Sequence, residues 1–97
     1  MRLKQDEIEY IKKSAMECFG EDVKVYLFGS RIDDSKKGGD IDLYIETDYT
    51  EDILRKKIKM LGLLEKGLGE QKIDIIVNNF STEKLIFSVA KTEGIAL

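Results

Sequence analysis

A chain of 97 residues, 42% hydrophobic and 36% charged with no proline, has the composition of one folded domain with a modest core and excludes a two-lobed or linker-rich architecture. Sixteen basic against 19 acidic residues leave a net charge of −3, which excludes strong general attraction to nucleic acid. Histidine is absent and Cys18 stands alone, so Ser-His-Asp and Cys-His catalysis, histidine-containing zinc sites and an internal disulfide are all ruled out.

In chain order, the first element is a helix from about Lys4 to Phe19. Ile8, Ile11, Ala15, Cys18 and Phe19 recur at helical spacing as one buried stripe, and Gly20 is its stop. Cys18 beside Phe19 reads as an inert, partly buried thiol. Val23 to Phe28 reads as a strand, with Val23, Val25 and Leu27 on one face; two apolar residues before Gly29 point to a central strand covered on both sides. Gly29-Ser30-Arg31 then leaves the sheet. Glycine there permits close backbone approach to a ligand, and a helix start near Ser30 would offer N–H groups and a hydroxyl to phosphate oxygens; a turn glycine followed by a capping serine is the simpler alternative.

The polar run from Ile32 to Gly39 carries Lys36 and Lys37, able to hold outer phosphates or simply solvated, and Asp33 and Asp34, which oppose an anion there. A second strand opens at Asp40. Its period of two sets Ile41, Leu43 and Ile45 on one face and Asp40, Asp42, Tyr44 and Glu46 on the other. Two carboxylates on one face raise each other's pKa unless a cation sits between them, and hard oxygen ligands suit Mg²⁺ or Mn²⁺; a solvated strand end is the alternative.

A helix follows, with Asp48 and Glu51 at capping-box spacing and Thr50 as a rival cap. Leu54, Ile58, Leu61, Leu64 and Leu68 form its core stripe, widened by Ile53 and Met60, while Arg55, Lys56, Lys57 and Lys59 fill the polar side. Lys72 to Val77 is a third strand with Ile73, Ile75 and Val77 toward the core, which leaves Asp74 on the opposite face, in the same phase as Asp40 and Asp42. If the strands are neighbours, the three carboxylates converge. Ser81 is expected to cap a last helix that buries Leu85, Ile86, Val89 and Ala90 and ends at Gly94; Ile95 to Leu97 add a short edge strand. The expected fold is α/β of the α+β kind, a single domain over residues 1–97 whose central three-to-four-stranded mixed sheet is packed with helices. No apolar run is long enough to span a bilayer and no signal-peptide pattern opens the chain, so a cytoplasmic protein with no membrane partner is expected.

The run Leu27-Phe28-Gly29-Ser30-Arg31, followed by Asp40-Ile41-Asp42-Leu43 and later by Lys72-Ile73-Asp74-Ile75-Ile76-Val77, resembles the minimal nucleotidyltransferase domains of the DNA polymerase beta superfamily. It looks most like the small stand-alone group encoded beside a helical HEPN partner. The similarity covers nearly the whole chain. It departs at Ile32, Asp33 and Asp34, where the family often has Ala-Arg-Gly, and at Gly39, where a serine usually stands.

The resemblance implies that Asp40, Asp42 and Asp74 are catalytic and hold Mg²⁺, with Mn²⁺ as substitute, and that Gly29, Ser30 and Arg31 bind the outer phosphates of a nucleoside triphosphate. In such a site two ions roughly 3.5–4 Å apart hold the attacking and leaving oxygens in line. The implied function is transfer of a nucleotide monophosphate, AMP from ATP, to a hydroxyl, here a tyrosine on a HEPN-type toxin partner, with this chain as the antitoxin. The alternative is a binding module that neutralises a partner by contact while its inherited site is weak. Transfer to RNA or a small molecule is disfavoured by the charge balance and by the lack of room for a substrate domain.

Overall fold

The computed structural model describes residues 3–29, 41–69, 71–80 and 84–97. Helices and strands follow in the order α1 (Gln5–Phe19), β1 (Lys24–Phe28), β2 (Ile41–Glu46), α2 (Ile53–Leu68), β3 (Ile73–Asn78), α3 (Leu85–Glu93) and β4 (Ile95–Ala96). The four strands form one mixed sheet in the order β3-β2-β1-β4. β1 is antiparallel to β2 and to β4, and β2 is parallel to β3. Parallel neighbours need a crossover of a dozen or more residues, and the 16-residue helix α2 supplies it. This is the expected α+β architecture, and β1 is central as anticipated.

Alternation divides the sheet into two unlike faces. Val25, Leu27, Ile41, Leu43, Ile45 and Ile75 are buried on one, in a single core with Ile11, Ala15, Cys18 and Phe19 of α1 and Met60 and Leu64 of α2. α1 keeps the stripe read from its sequence, and the Gly20 N–H closes it on the Met16 carbonyl at 2.9 Å. The two helices also meet directly. The Tyr10 ring occupies the space a side chain at Gly67 would need, and its hydroxyl donates to the Leu63 carbonyl at 2.6 Å.

Three local expectations are corrected. In α2, Leu54 and Ile58 are 70% and 59% exposed, and the buried line runs through Met60 and Leu64 with Ile53 and Leu68 beside it. The helix is turned by about one residue's step of 100° from a Leu54-Ile58-Leu61 centre, because its apolar arc is wider than the surface the sheet and α1 can cover. Its start also lies later than the capping box at Asp48 and Glu51 or the rival Thr50. Asp52 holds the N-cap position at φ 55° with no side-chain cap bond, while the preceding turn is pinned by the Tyr49 N–H on Thr47 Oγ1 at 3.2 Å. In α3, Leu85, Ile86 and Val89 are exposed, Ala90 is buried and Phe87 packs on Tyr44 with ring centroids 5.9 Å apart. That helix rests on the polar face of the sheet, where an aromatic ring and a small residue match the tyrosines beneath better than an aliphatic row. Ser81 lies outside the described residues.

β4 forms the anticipated edge: Ala96 and Ile95 pair with Tyr26 and Leu27, and the Leu97 N–H donates to the Val25 carbonyl at 2.9 Å. Among the described residues no helix is long and apolar enough to cross a membrane.

Candidate active site

The second sheet face gathers the polar groups. Because β2 and β3 run parallel in register, Asp42 and Asp74 are direct neighbours across the ladder, as are Tyr44 with Ile76 and Glu46 with Asn78. Strand spacing sets the two aspartate Cα atoms about 4.8 Å apart. Asp42 is half-buried and Asp74 exposed. Each reaches this position for the reason visible in its strand: aliphatic neighbours on either side claim the core face, and alternation sends the aspartate to the other.

Gly29 completes the local constellation. Phe28 is the register partner of Asp42, so Gly29 follows immediately at the end of β1, with φ 81° in the left-handed region. A Cβ there would run into Asp42 Oδ2. The absence of a side chain therefore does two things: it allows the backbone to turn out of the sheet, and it leaves the Asp42 carboxylate its place beside that turn. Adjacent carboxylates and a glycine cradle fit a hard divalent cation that completes its shell with water and phosphate oxygens, since Mg²⁺ typically takes only one or two protein carboxylates. Ser30, Arg31 and Asp40 lie outside the described residues, as do Asp33, Asp34, Lys36, Lys37 and Gly39. Among the described residues no group of three metal-ligating side chains is present; what they bring together is the Asp42 and Asp74 pair.

Further along the same face lies a polar cluster that the sequence reading did not single out. Tyr44 donates its hydroxyl proton to Glu46 Oε2 at 2.9 Å and accepts from Asn78 Nδ2 at 3.0 Å, while Asn78 Oδ1 accepts the Phe80 N–H at 2.9 Å. Lys91 of α3 pairs with Glu46 Oε2 at 3.2 Å. Tyr44, Glu46 and Asn78 are all buried. Burial, reinforced by the Glu46 carboxylate, pushes the Tyr44 hydroxyl above its ordinary pKa against the opposing pull of Asn78, so it stays a neutral donor. The hydrogen bond and charge of Glu46 raise Lys91. Sequence held half the signal: Glu46 shares the phase of Asp42, and Asn78 that of Asp74. Lys91 comes from another helix and no spacing rule could have joined it to them. Cys18 is in the core on the far side of the sheet, where desolvation raises its thiol pKa, in keeping with an inert role.

A search of curated proteins found no match to this chain. The family model described as nucleotidyltransferase domain matches residues 8–96, nearly the whole chain and all of the strands that carry the aspartates, and the protein belongs to that family.

Proposed function

We propose that this chain is a metal-dependent nucleotidyltransferase that moves AMP from ATP to a hydroxyl, and that the acceptor is a tyrosine of a HEPN-type helical toxin for which it serves as antitoxin in the cytoplasm. The observation that carries the reading is the register pairing of Asp42 with Asp74 beside the Gly29 turn, in a chain whose family supports transferase activity in general. Asp42 and Asp74, with Asp40, would hold Mg²⁺, or Mn²⁺ in its place. Bound there, the cation supplies charge neutralisation for the phosphates and for the developing pyrophosphate. The chain's own residues do the rest. The Gly29 turn, followed by Ser30 and Arg31, receives the outer phosphates with backbone N–H, hydroxyl and guanidinium donors. The acceptor oxygen forms a bond to the alpha-phosphorus as the bridge to the beta-phosphate breaks; pyrophosphate leaves with the bonding electrons, and the hydroxyl proton passes to Asp74 and then to solvent.

A second reading, neutralisation by contact, is favoured by one observation. Leu54 and Ile58 of α2, and Leu85, Ile86 and Val89 of α3, are large apolar side chains left exposed. Intact mass of the HEPN partner after incubation with the protein, Mg²⁺ and ATP separates the two. A gain of one adenylate group that is lost with Asp74→Asn supports transfer. Unchanged mass with undiminished suppression of the partner, equal in wild type and Asp74→Asn, refutes transfer and leaves neutralisation by contact.

A further inference from the structure

α3 does not cover the polar face completely. Between it and the ends of β2 and β3 is an open cleft of about 840 Å³, with Tyr44, Glu46 and Asn78 as its floor and Phe80, Phe87 and Ser88 around it. This is within the size range of small-molecule sites, and its mixture of aromatic walls with a few buried polar groups is what such sites use for orientation. We propose that this cleft takes the base of the nucleotide substrate, and that Glu46 selects bases bearing an exocyclic amino group; the inference rests on the nucleotidyltransferase reading above and deepens it.

Three observations carry it. Glu46 is only 6% exposed, yet its partners Tyr44 and Lys91 both meet Oε2; among the described residues Oε1 has no hydrogen-bond partner. A buried carboxylate oxygen without a donor is costly, and a ligand N–H entering the cleft would satisfy it. Phe80, left exposed, supplies apolar ring surface on which a base can stack, beside a Phe87 ring that packs on Tyr44 and lies under Lys84 Nζ at 5.9 Å. The distance is also right. Glu46 lies four steps along β2 from Asp42, roughly 13 Å of strand, comparable to the reach from a metal-held alpha-phosphate through the ribose to the far edge of a base. The same distance argues against an acceptor tyrosine in the cleft, since a hydroxyl bonded to Glu46 would be held far from Asp42 and Asp74. A carboxylate only accepts, so it favours the amino groups of adenine, guanine or cytosine. Uracil would turn carbonyl oxygens toward it on both sides of its one N–H.

The test is calorimetric affinity for ATP and for purine riboside triphosphate, which lacks only the 6-amino group, both with Mg²⁺. Wild type should prefer ATP by about tenfold, as a hydrogen bond to a charged group warrants. In Glu46→Gln the Tyr44 and Lys91 donors hold the amide oxygen at the Oε2 position and leave –NH₂ at the cleft, so the preference should vanish. Ser88→Phe guards against misfolding of that buried variant. Ser88 is exposed, and a ring there fills the cleft while every residue of the network keeps its own side chain, so both nucleotides should weaken by at least about tenfold. Equal affinity of wild type for the two nucleotides, or unaltered binding by Ser88→Phe, overturns the base assignment and leaves the transfer reading standing. Failure of both nucleotides to bind overturns both readings.

Discussion

Gly29→Ala probes the link between backbone and site most directly. At φ 81° an L-residue costs about 1–2 kcal/mol relative to glycine. The new Cβ also meets Asp42 Oδ2, and swinging that carboxylate off its rotamer adds about 0.5–1.5 kcal/mol. Together these give about 1.5–3.5 kcal/mol, which for a domain of this length lowers Tm by about 6–28 °C. Urea unfolding gives the total, and a double-mutant cycle with Asp42→Ala divides it. With the carboxylate gone only the backbone part remains, so the cycle should show an interaction energy of about 1 kcal/mol. Displacing Asp42 should also reduce the gain in ATP affinity that Mg²⁺ confers. A total cost below about 0.5 kcal/mol, or costs that add with no interaction term, would refute the view that glycine is required here to make room for Asp42.

Asp74→Asn should raise metal-free stability by a few tenths of a kcal/mol through relief of like-charge repulsion across the β2–β3 ladder, while abolishing transfer; a loss of stability in urea unfolding would mean that the two carboxylates do not repel as their register implies. Lys91 is raised above its ordinary 10.5 by Glu46, so its contribution to stability is complete below that value and is lost as pH climbs through the folded-state pKa. Denaturation midpoints measured from pH 9 upward should therefore fall more steeply in wild type than in Lys91→Met, and parallel curves would contradict the pairing. Gly67→Ala gains helix propensity of about 1 kcal/mol but displaces the Tyr10 ring from its bond to the Leu63 carbonyl, for a net loss of about 1 kcal/mol. In a Tyr10→Leu background the same substitution should stabilise, and thermal melts that fail to show this reversal would discount the contact.

Much of this protein could be read from its sequence because the relevant interactions are local. Alternation along the chain by itself places Asp42 and Asp74 opposite rows of Ile, Leu and Val, and the same period-two rule makes the strands and their core face legible without coordinates. Gly20 and Gly94 mark the ends of helices, and Gly29 marks an exit from the sheet, for reasons contained in a few residues. Tertiary structure decided what depends on how wide a surface each element finds. The apolar arc of α2 contains more residues than the core can accept, and only packing against α1 and the sheet leaves Leu54 and Ile58 outside. For α3 the partner surface is the tyrosine-bearing face of the sheet, which turns Phe87 and Ala90 inward and its aliphatic residues out. The parallel register that makes Asp42 the neighbour of Asp74, and the approach of Lys91 to Glu46, join residues 32 and 45 positions apart. No periodicity within a single element encodes such distances, because they follow from the crossover of α2 and the docking of α3, each of which is set by burial of the whole chain.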